Sequence, residues 1–331
     1  MLTPPDGKFP AAIQFPKMML TTVAEAYCLP FGPPILPDFR QIVTDYLIPW
    51  APHVLGWFTR IDKSVYAASQ SIDTNDTEYD LDTAFFLDHP ISGHYGHFIG
   101  DCLPRLHALA TCRALFGEVK VVVADAAWAE FQTHLLNAAG VASRDIVRLK
   151  GLARCRRLLL ATQSMCVEHY ASPTSARLWS TIRDSSAVRD ITMPDKIYLS
   201  RAGVKIRKLA NESAVERIFE RRGFSIIRPE TLRAEQQIAL VSNALLVAGP
   251  SGSGLFNLAF QGRLRSAFIL VWDQYVQMSE MLLSAGSFCD LRYHIGQSVP
   301  PEITLADGVT WAVDLVRLES EVAEWLDQAR L

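Results

Sequence analysis

Apolar and polar positions follow two alternating patterns along most of the chain. From residue 83 onward, short continuous apolar runs are followed by longer stretches in which apolar residues recur every three or four positions. Continuous apolar runs are typical of strands buried on both faces, and the longer periodicity is typical of amphipathic helices. The first half therefore predicts a parallel α/β sheet. Its predicted strands are Thr83–Leu87, Val119–Ala124 and Arg157–Ala161, and its predicted helices are about 97–116 and Trp128–Ala139.

A second alternation of the same kind follows a polar helix near residues 175–195 and the turn Met193-Pro194-Asp195, where we expect a crossover between domains. In its first helix, Ser213 and Glu216 have the spacing of a capping box, and Gly223 predicts the helix end. The predicted strands are Lys196–Leu199, Phe224–Ile227, Ala244–Ala248 and Ala267–Trp272, and the predicted helices are Asn211–Arg222, Thr231–Asn243 and Gly254–Phe260.

The two ends of the chain follow other patterns. Nine prolines among the first 50 residues predict an extended arm that wraps a core rather than founding one. The other end predicts an amphipathic helix with one apolar stripe, formed by Trp311, Leu315, Leu318, Val322 and Trp325. The predicted divisions are a first domain at 1–190 that includes the arm, a second at 191–305, and the final helix at 306–331.

Composition narrows the class of protein. A net charge of −3 over 331 residues argues against a general nucleic-acid binder, which would carry a strong basic excess. Six scattered cysteines without a CxxC pair indicate reduced core thiols in a reducing compartment. The chain shows neither a signal-peptide pattern nor an apolar run of about 18 residues. We therefore expect a cytoplasmic enzyme, with peripheral membrane contact left open.

The densest group of chemically capable residues lies at 89–109, where four histidines occur with three glycines. His97, Asp101 and Arg105 are spaced i, i+4, i+8 and share one face of a helix. A carboxylate one turn from an imidazole can orient it as a general base. Pro104 requires that the helix begin near Asp101 or bend there. Turn and helix-end histidines are the competing interpretation, and a zinc site lacks an obvious further ligand.

Two later stretches suit a phosphorylated ligand. Residues 198–212 place Ser200, Arg201 and Arg207 after a predicted strand, at the edge where open α/β sheets bind ligands, and guanidinium groups match phosphate oxygens. Residues 245–260 read as strand, Gly-rich turn and helix, so Gly252 and Gly254 allow close approach of backbone amides to a phosphate. A solvated basic loop and an ordinary turn are the competing interpretations. The Asp80-Leu-Asp82 triplet precedes an apolar strand, so we interpret it as solvated and predict no metal site.

In this order and spacing, the three stretches resemble glycosyltransferase family 61. That family shows Tyr-Gly-His-apolar followed by Asp-x-Leu-Pro-Arg, then Ser-Arg…Arg…Asn-Glu, then an acidic-Gln helix, and last a Gly-Pro-His-Gly-Ala-Gly-Leu-x-Asn loop. The resemblance covers roughly residues 83–272. The matching positions are Tyr95 to Phe98, Asp101 to Arg105, Ser200, Arg201, Arg207, Asn211, Glu212, Glu235, Gln236 and Gly249 to Asn257.

The resemblance implies an α/β protein of the GT-B type, with two Rossmann-like domains facing a cleft and the last helix packing back on the first domain. It implies acceptor recognition on the N-terminal domain and nucleotide-sugar binding on the C-terminal one. The implied reaction is inverting transfer from a UDP-sugar to a glycan or glycolipid acceptor, with no metal and no other cofactor. From the residues themselves, we expect His97 with Asp101, or Asp101 directly, to act as the catalytic base. A role of this pair in holding the acceptor or closing the domain interface is the alternative. The implied substrate-binding residues are Arg201, Arg207, Asn211, Glu235, Ser251, Gly252, Ser253, Gly254 and Asn257.

Two departures from the family pattern keep other functions open. Ser251 stands where the family has His, and Ile269 and Leu270 stand where an acidic residue is usual, with Asp273 slightly later. An altered donor or a non-catalytic glycan- or nucleotide-binding relative is therefore an alternative. Gly252-x-Gly254 with Asp273 19 residues after Gly254 also approaches the spacing of a dinucleotide site, so an NAD-dependent oxidoreductase is a second alternative.

Overall fold

A computed structural model describes residues 13–37, 58–62, 65–68, 73–125, 128–186, 193–204, 206–284, 289–299 and 310–329. The chain divides into two compact units, an N-terminal one formed by Gln14–Cys166 and a C-terminal one whose main part is Val167–Leu331. This division falls earlier than the predicted boundary at 190/191, because the helix that precedes that boundary packs on elements of the C-terminal unit.

The N-terminal unit is built on a five-stranded sheet. Its strands are β1 (Leu20–Cys28), β4 (Thr77–Phe86), β5 (Lys120–Ala124), β6 (Ile146–Leu149) and β7 (Leu152–Ala161), and the unit also contains the hairpin β2 (Phe58–Asp62) and β3 (Val65–Ala68) and the short β8 (Met165–Cys166). The sheet order is β1-β7-β4-β5-β6, with β1 antiparallel and all other pairs parallel. The predicted parallel sheet is therefore confirmed, with an antiparallel edge strand.

The helices of the N-terminal unit follow the strands, as expected of α/β connections. They are α1 (Tyr95–His97), α2 (Leu109–Phe116), α3 (Glu130–Ala138) and the 3₁₀ turns Thr74–Asp76 and Ser143–Asp145. A π-helical turn, Phe98–Cys102, and a 3₁₀ segment, Leu103–Ala108, join α1 to α2. Pro104 lies in the first turn of the 3₁₀ segment, so the predicted irregularity of this helix is confirmed.

The C-terminal unit contains a seven-stranded sheet. Its strands are β10 (Lys196–Leu199), β11 (Lys208–Leu209), β12 (Ser225–Ile227), β13 (Leu246–Pro250), β14 (Ser266–Trp272), β15 (Asp290–Ser298) and β16 (Thr310–Ala312), and β9 (Tyr170–Ala171) precedes them. The order is β11-β16-β15-β14-β13-β10-β12, and the five strands from β12 to β15 are parallel. In chain order these five run 2-1-3-4-5, the doubly wound arrangement whose order reverses between β10 and β13.

Helices and apolar side chains complete the C-terminal unit. The helices are α4 (Pro173–Ser185), α5 (Glu212–Arg221), α6 (Ala234–Asn243), α7 (Ser279–Ser284), α8 (Leu315–Ala329) and the 3₁₀ segments Pro229–Thr231 and Ser253–Phe260. Leu318, Val322 and Trp325 of α8 are fully buried in one core with side chains of α5 and β14. The structure therefore corrects the expectation for the last helix, whose apolar stripe covers the C-terminal sheet rather than the first domain.

Several local predictions need correction. Part of the proline-rich segment forms β1, which pairs with β7 along eight residue pairs; residues 1–12 and 38–50 of the predicted arm lie outside the described residues. Helix α5 has Asn211 at its N-cap and no side-chain cap, so the predicted capping box is wrong. Gly223, with φ of +81°, does end this helix. Trp311 belongs to β16 rather than to the final helix, although it packs in the same core.

Candidate functional site

The carboxyl end of β4 leads into the segment that holds the pair His97–Asp101. Nδ1 of His97 lies 2.7 Å from Oδ2 of Asp101, and the exposed fractions of the two side chains are 26% and 5%. The predicted one-turn spacing is thus confirmed as a hydrogen bond. With the carboxylate accepting from Nδ1–H, the more exposed imidazole presents Nε2 as its basic nitrogen, which is the arrangement a general base requires.

The π-helical turn positions Asp101. Its backbone carbonyl accepts hydrogen bonds from Nη1 of Arg105 at 2.7 Å and from Nε2 of Gln163 at 2.8 Å. Gln163 follows β7, the strand beside β4, so two adjacent strand ends hold the same residue. π-helical turns are rare and occur frequently at functional sites.

Two further histidines surround this pair. The His89 ring stacks on that of His97 with centroids 6.2 Å apart, and the His94 ring lies at 5.2 Å. Burial lowers the pKa of His89 to about 3, so this ring is neutral at pH 7. The His97 ring therefore has an uncharged aromatic neighbour in His89.

Asp88, beside His89, anchors the segment. Its buried carboxylate accepts hydrogen bonds from the amides of Phe31 and Ala124 and from the Ser92 hydroxyl. Burial raises the pKa of Asp88 to about 6, although these donors lower it. Because its oxygens are used within the protein, Asp88 has a structural role.

In the C-terminal unit, the strand ends on either side of the order reversal carry the predicted anion-binding residues. Ser200 and Arg201 follow β10, and Ser251 and Gly252 follow β13. Open α/β sheets bind ligands at this position, outside the carboxyl ends of the strands. A Cβ atom on Gly252 would lie 2.0 Å from Nη1 of Arg201, so the guanidinium group occupies the space that a side chain at Gly252 would need. The two motifs therefore meet at one sheet edge.

The second arginine of the basic loop is held by an aromatic ring. Cζ of Arg207 lies 3.9 Å from the centroid of the Tyr275 ring, a cation–π contact. Tyr275 follows β14, the next strand along the same sheet edge. Desolvation, followed by the positive charge of Arg207, lowers the pKa of Arg201. Two guanidinium groups that repel each other in this way are suited to share an anionic ligand.

The Asn-Glu part of the basic motif supports this loop. The Glu212 carboxylate, 3% exposed, accepts a hydrogen bond from the Arg201 backbone amide at 2.6 Å. Burial raises the pKa of Glu212. The Asn211 side chain donates to the Val313 carbonyl and accepts from its amide, which ties the start of α5 to the residue that follows β16. These residues position Arg201, and the polar atoms of Asn211 are engaged within the protein.

The Gly-rich loop uses most of its own donors internally. The Ser251 amide donates to the Leu270 carbonyl and the Leu255 amide to the Gly252 carbonyl. The Ser251 hydroxyl donates to Oε1 of Glu280 at 2.6 Å, and the Gly252 amide also donates to this carboxyl group. Burial raises the pKa of Glu280. Charge compensation for an anion at this edge would therefore come mainly from the guanidinium groups.

The remaining predicted residues lie farther along the same elements. Asn257 is buried in the 3₁₀ segment and donates to Oε1 of Gln237 on α6 and to the Gly254 carbonyl. Glu235, in the first turn of α6, forms an ion pair with Arg233 at 2.9 Å. Ser253 begins the 3₁₀ segment, which replaces the predicted helix at 254–260. The structure thus gives Asn257 and Glu235 contacts within the protein.

Sequence reasoning missed three contributors to this edge. Glu280, Tyr275 and Gln237 each hold a predicted residue, but they lie 20 to 68 positions away from it along the chain. Within the described ranges, no three His, Cys, Asp or Glu side chains are grouped to hold a metal ion. The Asp80 and Asp82 side chains are exposed on β4, as predicted. No described helix is long and apolar enough to cross a membrane.

One known family has a sequence profile that spans all three of the motifs described above. The sequence profile described as Glycosyltransferase 61 matches residues 95–266, which include the His97–Asp101 pair, the basic loop and the Gly-rich loop. A search of curated proteins finds no match. Because the matched range covers more than half of the chain, the protein belongs to glycosyltransferase family 61 and is a glycosyltransferase.

Proposed function

We propose that this enzyme transfers a sugar, with inversion at the anomeric carbon and without a metal ion, from a UDP-sugar to a hydroxyl of a glycan or glycolipid. The observation that carries the proposal is the meeting of Arg201 with Gly252 at the order reversal of the C-terminal sheet. A sheet edge of this kind suits a nucleotide, and the two arginines suit its diphosphate.

The departing diphosphate needs positive charge as the glycosidic bond breaks. Arg201 and Arg207 can supply two guanidinium groups at a dehydrated edge, where charge stabilisation of a transition state is strong. Tyr275 and Glu212 hold the basic loop in place before the donor binds. This preorganisation supports charge compensation by side chains of the protein itself.

The acceptor hydroxyl needs a base as it attacks. We propose that Nε2 of His97 accepts its proton, while Asp101 orients the ring and stabilises the imidazolium that forms. Direct proton transfer to Asp101 is the less favourable route, because the carboxylate is 5% exposed and already accepts from His97. A single displacement with a base on the acceptor side inverts the anomeric configuration, as in inverting glycoside hydrolysis.

The wider assignments belong to the same proposal. We propose a GT-B arrangement in which the C-terminal unit binds the donor and the N-terminal unit binds the acceptor. We further propose that the enzyme acts in the synthesis of a polysaccharide or glycolipid, in the cytoplasm, with peripheral membrane contact left open. The doubly wound order of the C-terminal sheet supports the donor assignment. The 3₁₀ segment that follows the Gly-rich loop and the family membership argue against the NAD-dependent alternative.

Turnover of a panel of UDP-sugars by two variants tests the proposal. Arg201→Ala should raise the activation barrier by about 2–4 kcal/mol, the range for loss of one charge-stabilising donor. Asp101→Asn should reduce kcat while leaving UDP affinity intact, because Asp101 acts on the acceptor side. Near-normal turnover by Arg201→Ala would contradict the assignment of the diphosphate site.

A further inference from the structure

The Ser251 hydroxyl is tied to a buried carboxyl group. Its Oγ lies 2.6 Å from Oε1 of Glu280, the second residue of α7, whose side chain is 1% exposed. The Gly252 amide donates to the same carboxyl group. A carboxyl group buried against the Gly-rich loop therefore holds two of its donors.

This pairing fixes what Ser251 can offer a ligand. A serine hydroxyl has one proton and two lone pairs, and the proton is committed to Glu280. The hydrogen bonds from the Ser251 hydroxyl and from the Gly252 amide both lower the pKa of this carboxyl group and so favour its ionised form, which can only accept. With Glu280 ionised, Ser251 donates to Oε1. Its partly exposed hydroxyl is therefore an acceptor and not a donor.

An acceptor with a carboxyl group behind it does not suit phosphate. Phosphate oxygens need donors, and the Ser251 amide is used by the Leu270 carbonyl. The guanidinium of Arg201 occupies the space that a side chain at Gly252 would need and suits the diphosphate. The Ser251 side of the loop instead matches a neutral part of a nucleotide sugar that carries hydroxyl groups.

We propose that Ser251, oriented by Glu280, accepts a hydrogen bond from a hydroxyl of the donor, on the ribose or on the transferred sugar. This assignment depends on the proposed function, since it takes a nucleotide sugar as the ligand of this edge. Ser251 would then select hydroxylated donors over deoxy analogues, while Glu280 acts as its positioning residue.

Binding of deoxy analogues tests the assignment. Calorimetry would compare UDP, 2′-deoxy-UDP, 3′-deoxy-UDP and a UDP-sugar panel on the wild-type protein and on Ser251→Ala. We expect the variant to bind the hydroxylated ligand about 2–12-fold more weakly, the range for one hydrogen bond between uncharged groups. The analogue that lacks the contacted hydroxyl should bind both proteins equally. Ser251→Thr, which keeps the hydroxyl, should retain the selectivity.

The pattern of losses identifies the source of the hydroxyl. Weaker binding of UDP itself assigns the ribose, whereas a loss confined to UDP-sugars assigns the transferred sugar. Ser279→Ala is the matched control, because the Ser279 hydroxyl also donates to a glutamate, Glu168, and lies beside Glu280 on α7. We expect this control to lower thermal stability and to leave selectivity unchanged.

Four results would overturn the assignment. If Ser251→Ala lost equal affinity for hydroxylated and for all deoxy ligands, or bound them all as the wild type does, the role of Ser251 would be refuted. Binding of UDP by the wild-type protein would still support the proposed function in that case. The same selectivity loss in Ser279→Ala would reduce the effect to general destabilisation. Absence of any UDP or UDP-sugar binding by the wild-type protein would overturn the proposed function and this assignment together.

Discussion

Gly252→Ala is expected to act on the ligand through Arg201. The added Cβ would lie 2.0 Å from Nη1 and 2.8 Å from Cζ of Arg201, far inside van der Waals contact. Since the guanidinium is the end of a flexible side chain, it moves away before the β13 turn does. The φ of Gly252, +153°, adds backbone strain that an L residue rarely tolerates.

The size of the effect follows from the bond that is lost. A hydrogen bond to a charged group contributes about 1.5–3 kcal/mol, so UDP affinity should fall roughly 10- to 150-fold. Calorimetric titration of UDP would measure this directly. The Arg201→Ala variant should show a loss of similar size, and the double variant should lose little more than either single one. Such non-additivity is the signature of two changes that remove one interaction.

A matched control separates this effect from backbone strain. Gly223 also has a positive φ, +81°, but a Cβ there would meet nothing within 4 Å. Gly223→Ala should therefore lower thermal stability and leave UDP affinity unchanged. Fully additive losses in the Arg201→Ala/Gly252→Ala protein would refute the reasoning, because Gly252 would then act independently of the guanidinium.

Two further predictions concern stability. The pKa of His89 is about 3, so the folded state excludes a proton that the unfolded state binds below about pH 6.5, and acidification destabilises the protein. Denaturant unfolding should show that His89→Gln removes about 1 kcal/mol of the stability loss between pH 6 and pH 5, whereas substitution of the exposed His169 by Gln does not. Equal pH slopes for the two variants would contradict this. Trp325→Ala should lower the free energy of unfolding by about 3–5 kcal/mol, because this side chain is fully buried and its Nε1 donates to the Ser266 hydroxyl. Val316 is 82% exposed on the same helix, so Val316→Ala should cost under about 0.5 kcal/mol. A small loss for Trp325→Ala would show that α8 is not part of the C-terminal core.

Local patterns predicted the features whose partners are near in sequence. The i, i+4 spacing of His97 and Asp101 needs only one helical turn to bring them together, and their hydrogen bond confirms it. The continuous apolar runs predicted the parallel strands. Because Arg201 and Gly252 each follow one of these strands, both lie at the same edge of the sheet. Helical spacing and continuous apolar runs both reflect which faces of an element are buried, and they were sufficient to predict these features.

Contacts that depend on tertiary packing were not predictable in this way. Glu280 lies 29 positions after Ser251, and no periodic signal links a helix start to a turn at that distance. The prediction of a capping box was wrong because the Glu216 carboxylate accepts a hydrogen bond from the Ser200 hydroxyl instead of capping its own helix. Trp311 fitted the helical stripe but lies in β16, since both elements face the same core.

The most direct test of the account is calorimetric binding of UDP, UMP and uridine in the presence of EDTA, for the wild-type protein and for Arg201→Ala and Arg207→Ala. Wild-type protein is expected to bind UDP without a divalent metal and more tightly than UMP or uridine. Each arginine variant should lose at least tenfold in UDP affinity and much less for uridine. UDP binding that EDTA abolishes, or that both variants retain in full, would contradict it.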